Sequence, residues 1–134
     1  MSEQIPILVI QVHEIGWMEA KDHFDKQGIV RDKEYTLFKT AGQKFMEAVV
    51  PGLPQLIFTS HTGSFDCRVV AKVVKEKNPN AIVFALTSSR VPDGFSMLDG
   101  VVNKGHDNSP QITGRMAQAF LTGARREELV KINR

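Results

Sequence analysis

The chain has 134 residues, 42% of them hydrophobic, and its 17 Lys plus Arg against 15 Asp plus Glu leave a formal net charge of +2. That length and apolar content fill one core, so a single domain spanning 1–134 is expected, with no room for a second. The charges are spread along the chain rather than gathered into blocks, which argues against a nucleic-acid surface.

The N-terminal run from Ile5 to Ile10 is interrupted by Pro6, with no basic lead-in and no small-residue cleavage site, so it reads as a strand and not a signal peptide. No apolar run approaches the ~20 residues that cross a bilayer. The one cysteine, Cys67, sits in FDCRVVAKVV, which excludes an intrachain disulfide and a multi-cysteine zinc site. A reducing, cytoplasmic setting is expected.

Short β-rich runs alternate with longer runs of helical period, the pattern of a parallel sheet covered on both faces. The first strand is expected at Ile7 to Val12. A helix from Ile15 to Gln27 follows, with Trp17, Ala20, Lys21 and Phe24 near helical spacing and Gly28 as its stop. Tyr35 to Thr40 alternates as a strand, and Gly42 to Val50 forms a short helix ended by Pro51-Gly52. Gln55 to Thr59 is a buried strand. The helix from Phe65 to Lys77 is expected to turn Val69, Val70, Val73 and Val74 inward, and Asn78-Pro79-Asn80 closes it. Ala81 to Thr87 is the fourth strand, Ser88 to Gly94 a loop, and Phe95 to Leu98 gives about one helical turn. Gly100 to Asn103 is the fifth strand. After a loop with Pro110, a helix runs from Gln111 to Ile132, open to a break at Gly123, with Ile112, Met116, Ala119 and Phe120 inside.

Short loops and right-handed crossovers lead to a flavodoxin-like, three-layer α/β/α fold with five parallel strands in the order 2-1-3-4-5. In such a sheet the crevice lies at the C-terminal strand ends, between strands one and three. The candidate residues are those just after each strand.

In order and at the right spacing, several patterns resemble the receiver domain of response regulators, from about Ile7 to about Leu121. Pro54-Gln55-Leu56-Ile57-Phe58-Thr59-Ser60 is similar to the run that carries the phospho-accepting aspartate. Thr87 matches the switch hydroxyl, and Val102-Asn103-Lys104-Gly105 is similar to the end of strand five with its lysine. The resemblance implies a signalling module, and the departures imply a degenerate one. Receivers place two acids after strand one to hold magnesium. Here those positions fall on Gln11 and Val12, or on His13 and Glu14 in another register, and the acceptor position falls on Ser60, which cannot form an acyl phosphate. Magnesium wants hard oxygen ligands and usually one or two carboxylates, so no cofactor is expected.

The turn Thr59-Ser60-His61-Thr62-Gly63-Ser64 runs into a helix start and is similar to the phosphate loop of flavodoxins, although that loop follows strand one. Ser60, Thr62, Gly63, Ser64, Thr87 and Lys104 could line an anion site there, or Ser64 or Thr62 could simply cap the helix. His13, His61 and His106 all follow strands and, with Glu14, Asp66 or Asp107, form the weaker candidate for a metal site. His61 beside Ser60 or Ser64 could serve as a general base, but no orienting acid or oxyanion motif accompanies it. Arg125-Arg126 followed by Glu127-Glu128 reads as a solvated helix end.

The expected function is a stand-alone pseudo-receiver, a signalling or regulatory module without aspartyl phosphorylation, with enzymatic activity left open. It would contact a protein partner or a second copy through the strand four/five and final-helix face, at Met97, Val102 and Ile112 to Phe120. A stunted fourth helix is expected to leave that face partly uncovered. The alternative is a small-molecule or anion binding protein, or an enzyme, built on the loop after strand three.

Overall fold

The computed structural model describes residues 4–11, 18–62, 65–87, 97–103 and 109–133. Among these the elements are β1 (Ile7–Ile10), α1 (Met18–Lys26), β2 (Tyr35–Phe38), α2 (Gln43–Ala48), β3 (Leu56–Thr59), α3 (Cys67–Lys77), β4 (Ile82–Thr87), β5 (Gly100–Asn103), α4 (Ser109–Leu121) and α5 (Arg126–Ile132). The strands are all parallel and lie in the order β2-β1-β3-β4-β5, as the alternation of elements predicts. No helix among the described residues is long and apolar enough to cross a membrane.

Successive strand residues point to opposite faces, and each face here is apolar. Ile7, Val9, Leu56, Phe58, Phe84, Leu86 and Val102 join Phe24 of α1, Met116 and Ala117 of α4 and Leu129 of α5 in one core. Leu8, Ile10, Ile57, Val83 and Ala85 join Phe45 of α2 and Cys67, Val70, Ala71 and Val74 of α3 in the other. The sheet is therefore the middle of three layers, and its strands carry no polar face.

At the N-terminal edge of the sheet, two fully buried amides tie these parts together. The Gln55 side chain donates to the carbonyls of Ile5 (3.1 Å) and Ala48 (2.8 Å), and its oxygen accepts from Val50 N–H (3.0 Å) and Asn78 Nδ2 (3.2 Å). Asn78 also donates to Leu53 O, accepts from Gly52 N–H, and ends α3 through its own N–H on Val74 O. Both side chains thus have partners for donor and acceptor, the condition under which buried amides stabilise rather than cost.

Several helix details differ from the sequence expectation. The inner stripe of α3 is Cys67, Val70, Ala71 and Val74, the i, i+3, i+4, i+7 set, which leaves Val69 59% exposed and Val73 half-buried. The cap of α3 is Asp66, whose carboxylate accepts from Arg68 N–H, and not Thr62; Ser64 lies outside the described residues. β1 and β2 end at Ile10 and Phe38, two residues before the expected Val12 and Thr40. α4 starts at Ser109, with Pro110 in the first turn, where a missing N–H costs nothing. Its most buried residues are Thr113, Gly114, Met116 and Ala117, while Ile112, Ala119 and Phe120 are half-buried. The break at Gly123 is real: φ there is 102°, and α5 begins three residues later. Val102, expected on an exposed face, is 1% exposed because α4 and α5 close over it. Trp17, the loop at Ser88 to Gly94 and Phe95 lie outside the described residues.

Two glycines let layers approach. A Cβ on Gly114 would stand 3.2 Å from the His23 Cβ of α1, and one on Gly100 would stand 2.7 Å from the Phe84 ring. Phe84 is fully buried and has no room to yield. Gly100→Ala is expected to lower stability by about 1–3 kcal/mol through overpacking, read as a lower urea midpoint. Gln55→Leu should cost at least as much, about 3 kcal/mol, by orphaning several buried backbone groups at once.

Candidate functional site

The parallel register carries Gln11, Ser60, Thr87 and Asn103 to the same edge of the sheet. Ile10 pairs with Thr59, Thr59 with Ala85, and Thr87 with Asn103, so Gln11 and Ser60 leave the sheet side by side between β1 and β3. That is the switch point where open α/β sheets place their ligands. Ser60 is 4% exposed; its N–H and its Oγ both donate to Ile10 O, at 2.9 and 3.0 Å. Gln11 donates its N–H to Phe38 O, and its buried Oε1 has no hydrogen-bond partner among the described residues.

The turn after β3 is closed by backbone bonds between Thr62 and Phe65, at 2.9 and 3.3 Å. Thr87 Oγ1 donates to His61 O at 2.8 Å, which fastens the end of β4 to this turn. The His61 ring is tucked in, with Nδ1 accepting from Cys67 N–H at 3.2 Å and standing 3.8 Å from Asp66 Oδ1. With Nδ1 as the acceptor, the other ring nitrogen, Nε2, is the one left as an N–H donor.

Asp66 completes the cluster. Its carboxylate accepts from Arg68 N–H at 2.9 Å and from the Arg68 guanidinium at 2.7–3.2 Å. The side-chain bonds to Arg68, then the backbone bond, hold its carboxyl down at about 2. Burial, and after it the Asp66 charge, push the Cys67 thiol up to about 11. Of the sequence candidates, the structure thus gathers Ser60, His61, Thr62, Asp66 and Thr87, with Gln11 beside them. Val12, His13, Glu14, Gly63, Ser64, Lys104, His106 and Asp107 lie outside the described residues. The part played by Arg68 was missed from the sequence, although an Asp two residues before an Arg at a helix start was its available signal.

Two chemistries can be tested on this geometry. The donor atoms of His61, Asp66 and Cys67 lie within 4.8 Å of one another, but the set does not suit a cation. The carboxylate is engaged by a guanidinium, the imidazole Nδ1 is taken by a backbone N–H, and the thiol is neutral and buried; a metal needs the deprotonated forms. An anion fares no better at the start of α3. The N–H groups of Cys67, Arg68 and Val69 already donate to His61, the Asp66 carboxylate and Asp66 O, and an ionised Asp66 repels negative charge there.

No family model matches the sequence, and no curated protein matches it. Among solved structures the chain is similar to a response regulator receiver domain from Rhodospirillum rubrum, at 16% identity and a TM-score of 0.64 over 88% of this chain and 94% of that one. It is similar to the isolated REC domain of RcsB from Salmonella enterica serovar Typhimurium, solved with phosphomimetic BeF3, at 15% identity and TM-score 0.61 over 98% and 100%. An orphan response regulator of H. pylori matches at 13% identity and TM-score 0.61 over 88% and 98%. The receiver-domain fold expected from the strand-end patterns is therefore present over most of the chain.

Because the Asp66 carboxyl is held below its ordinary 3.8 in the folded chain, its contribution is full above pH 4 and is lost as pH falls through about 2. The group is about one-third exposed, so screening keeps the gain near that of an ordinary helix cap, about 1 kcal/mol. Asp66→Asn should flatten this part of the acid-unfolding profile between about pH 4 and 2, followed by circular dichroism.

Proposed function

We propose that this chain is a signalling or regulatory module of the receiver fold that works through protein contacts and not through aspartyl phosphorylation. The observation that carries the reading is Ser60. It occupies the place where the resemblance expects the phospho-acceptor, and its hydroxyl is committed to Ile10 O inside the sheet. A serine needs an adjacent base to become a nucleophile, and the nearby imidazole uses its acceptor nitrogen on Cys67 N–H. In the first of the two registers that the resemblance allows, Gln11 stands where a magnesium-binding acid would begin; in the other, His13 and Glu14 do. The fold likeness to receiver domains supports the signalling class, and the single buried free thiol suits a reducing, cytoplasmic setting.

The contact surface is the outer side of α4, where Gln111, Arg115 and Gln118 are exposed; Met97, expected at the contact from the sequence, is 38% exposed. Its occupant is a second copy or a docking partner. Sedimentation showing twice the chain mass, reversed by Arg115→Glu, identifies the second copy; a monomer at high concentration points to the docking partner.

Incubation with acetyl phosphate and magnesium, followed by intact mass measurement, is expected to leave the mass unchanged. A phosphoryl adduct abolished by Ser60→Ala would overturn the reading.

A further inference from the structure

We propose that Asp99 is the shared catch of a competitive latch through which α3 sets how firmly the C-terminal helix α5 is docked. The last strand is followed by α4 and then by the short helix α5. With seven residues, α5 is too short to persist alone in water, so its helical state depends on what it is docked against.

Besides the packing of Val130 and Ile132 on the core, three contacts among the described residues help to hold it. The Leu129 side chain is fully buried in the core that includes Phe84, Val102 and Met116. Asn133 Nδ2 donates to Val101 O at 3.0 Å. The Arg126 guanidinium bonds the carboxylate of Asp99, whose side chain is only 4% exposed.

Asp99 sits just before β5 and serves both helical layers. Its own N–H donates to Val83 O at 2.8 Å, and its Oδ2 accepts from Val83 N–H at 2.8 Å, which fixes the carboxylate against β4. The same Oδ2 is 2.9 Å from Lys75 Nζ, a residue of the last turn of α3, while Oδ1 takes Arg126. α3 packs on the core of the opposite sheet face from α5.

One buried anion is thus divided between two cations from opposite layers. The two cations repel each other and share one field, which is screened less around the 4% exposed carboxylate and Lys75 than at the half-exposed Arg126. Withdrawing Lys75 leaves more of the Asp99 charge to Arg126 and tightens α5, and pressing Lys75 in loosens it. At its other end, roughly 12 Å from Lys75 by helix rise, α3 begins at the cluster of His61, Asp66 and Cys67, where the turn is fastened to β4 by Thr87. A partner bound at that edge, a second place apart from the α4 face, would be read at α5 by shifting α3; this last step rests on the contact-module reading, and the latch itself does not.

The test is amide hydrogen exchange by NMR on the full chain. Leu129 N–H, which donates to Arg125 O, and Asn133 N–H, which donates to Leu129 O, report on α5, while Ser60 N–H on Ile10 O is the core reference. Relative to that reference, Arg126→Gln and Asp99→Asn should speed exchange in α5 by about three- to tenfold, and Lys75→Gln should slow it by about two- to threefold, the scale of a partly exposed ion pair. Faster or unchanged α5 exchange in Lys75→Gln overturns the latch, as does unchanged exchange in Arg126→Gln. Both variants alter a side chain that is partly solvent-exposed, so the comparison survives if Asp99→Asn fails to fold. Partner binding is measured separately: finding no partner while the exchange pattern holds removes the contact reading alone, and the converse removes the latch alone.

Discussion

The pairing of Gln55 with Asn78 fixes where the central strand begins, and the geometry of the opposite edge follows from it. Gln55 has carbonyls from the N-terminal segment and from α2 on its amide nitrogen, and Val50 N–H on its oxygen. A slip of β3 by one residue would carry a primary amide onto an apolar face and leave these backbone groups without partners, a penalty of a few kcal/mol in a medium where no water can take their place. With the start of β3 held, four residues of strand bring Ser60 to the far edge beside Gln11. The network also ends α3 at Asn78, so strand and helix of this unit are cut to matched lengths at one end.

At that far edge, the local polar groups largely satisfy one another. Ser60 turns back to the sheet, Thr87 holds the turn, His61 caps one N–H of α3 and Asp66 another, and Arg68 neutralises the carboxylate. Among the described residues such an arrangement leaves little to offer a small ligand, because each new bond would have to break an existing one. Gln11 Oε1 is the exception among the described residues. The chemistry of the edge is that of a stiff joint between β4 and α3.

The sheet is closed at its other side by α5, and this changes what the outer face can be. In five strand-helix units, β5 would carry α4 alone on this face; here Leu129 and Asn133 cover the β5 segment around Gly100, whose lack of a side chain admits the Phe84 ring and the approach of Asn133. Val102 consequently belongs to the core. Asp99 then links the two helical layers around the start of β5, a connection between elements far apart in sequence.

The order of elements, the parallel sheet and the place of Ser60 were legible in the sequence because they depend on local periodicity: runs apolar on every residue, such as Leu56 to Phe58 and Val83 to Leu86, have to be buried on both faces. The break at Gly123 was legible for the same kind of reason, a residue suited to positive φ between two helical patterns. Other features were settled only in three dimensions. Asp66 caps α3 although the same turn also offers Thr62, because the cap follows from which face of the helix docks, and packing selected Cys67, Val70, Ala71 and Val74 over the valine-rich stripe that contains Val69. The burial of Val102, the orientation of Ser60 into the sheet and the meeting of Lys75, Asp99 and Arg126 all require contacts between distant segments. Periodicity reports which residues share a face, but not which neighbour that face will meet.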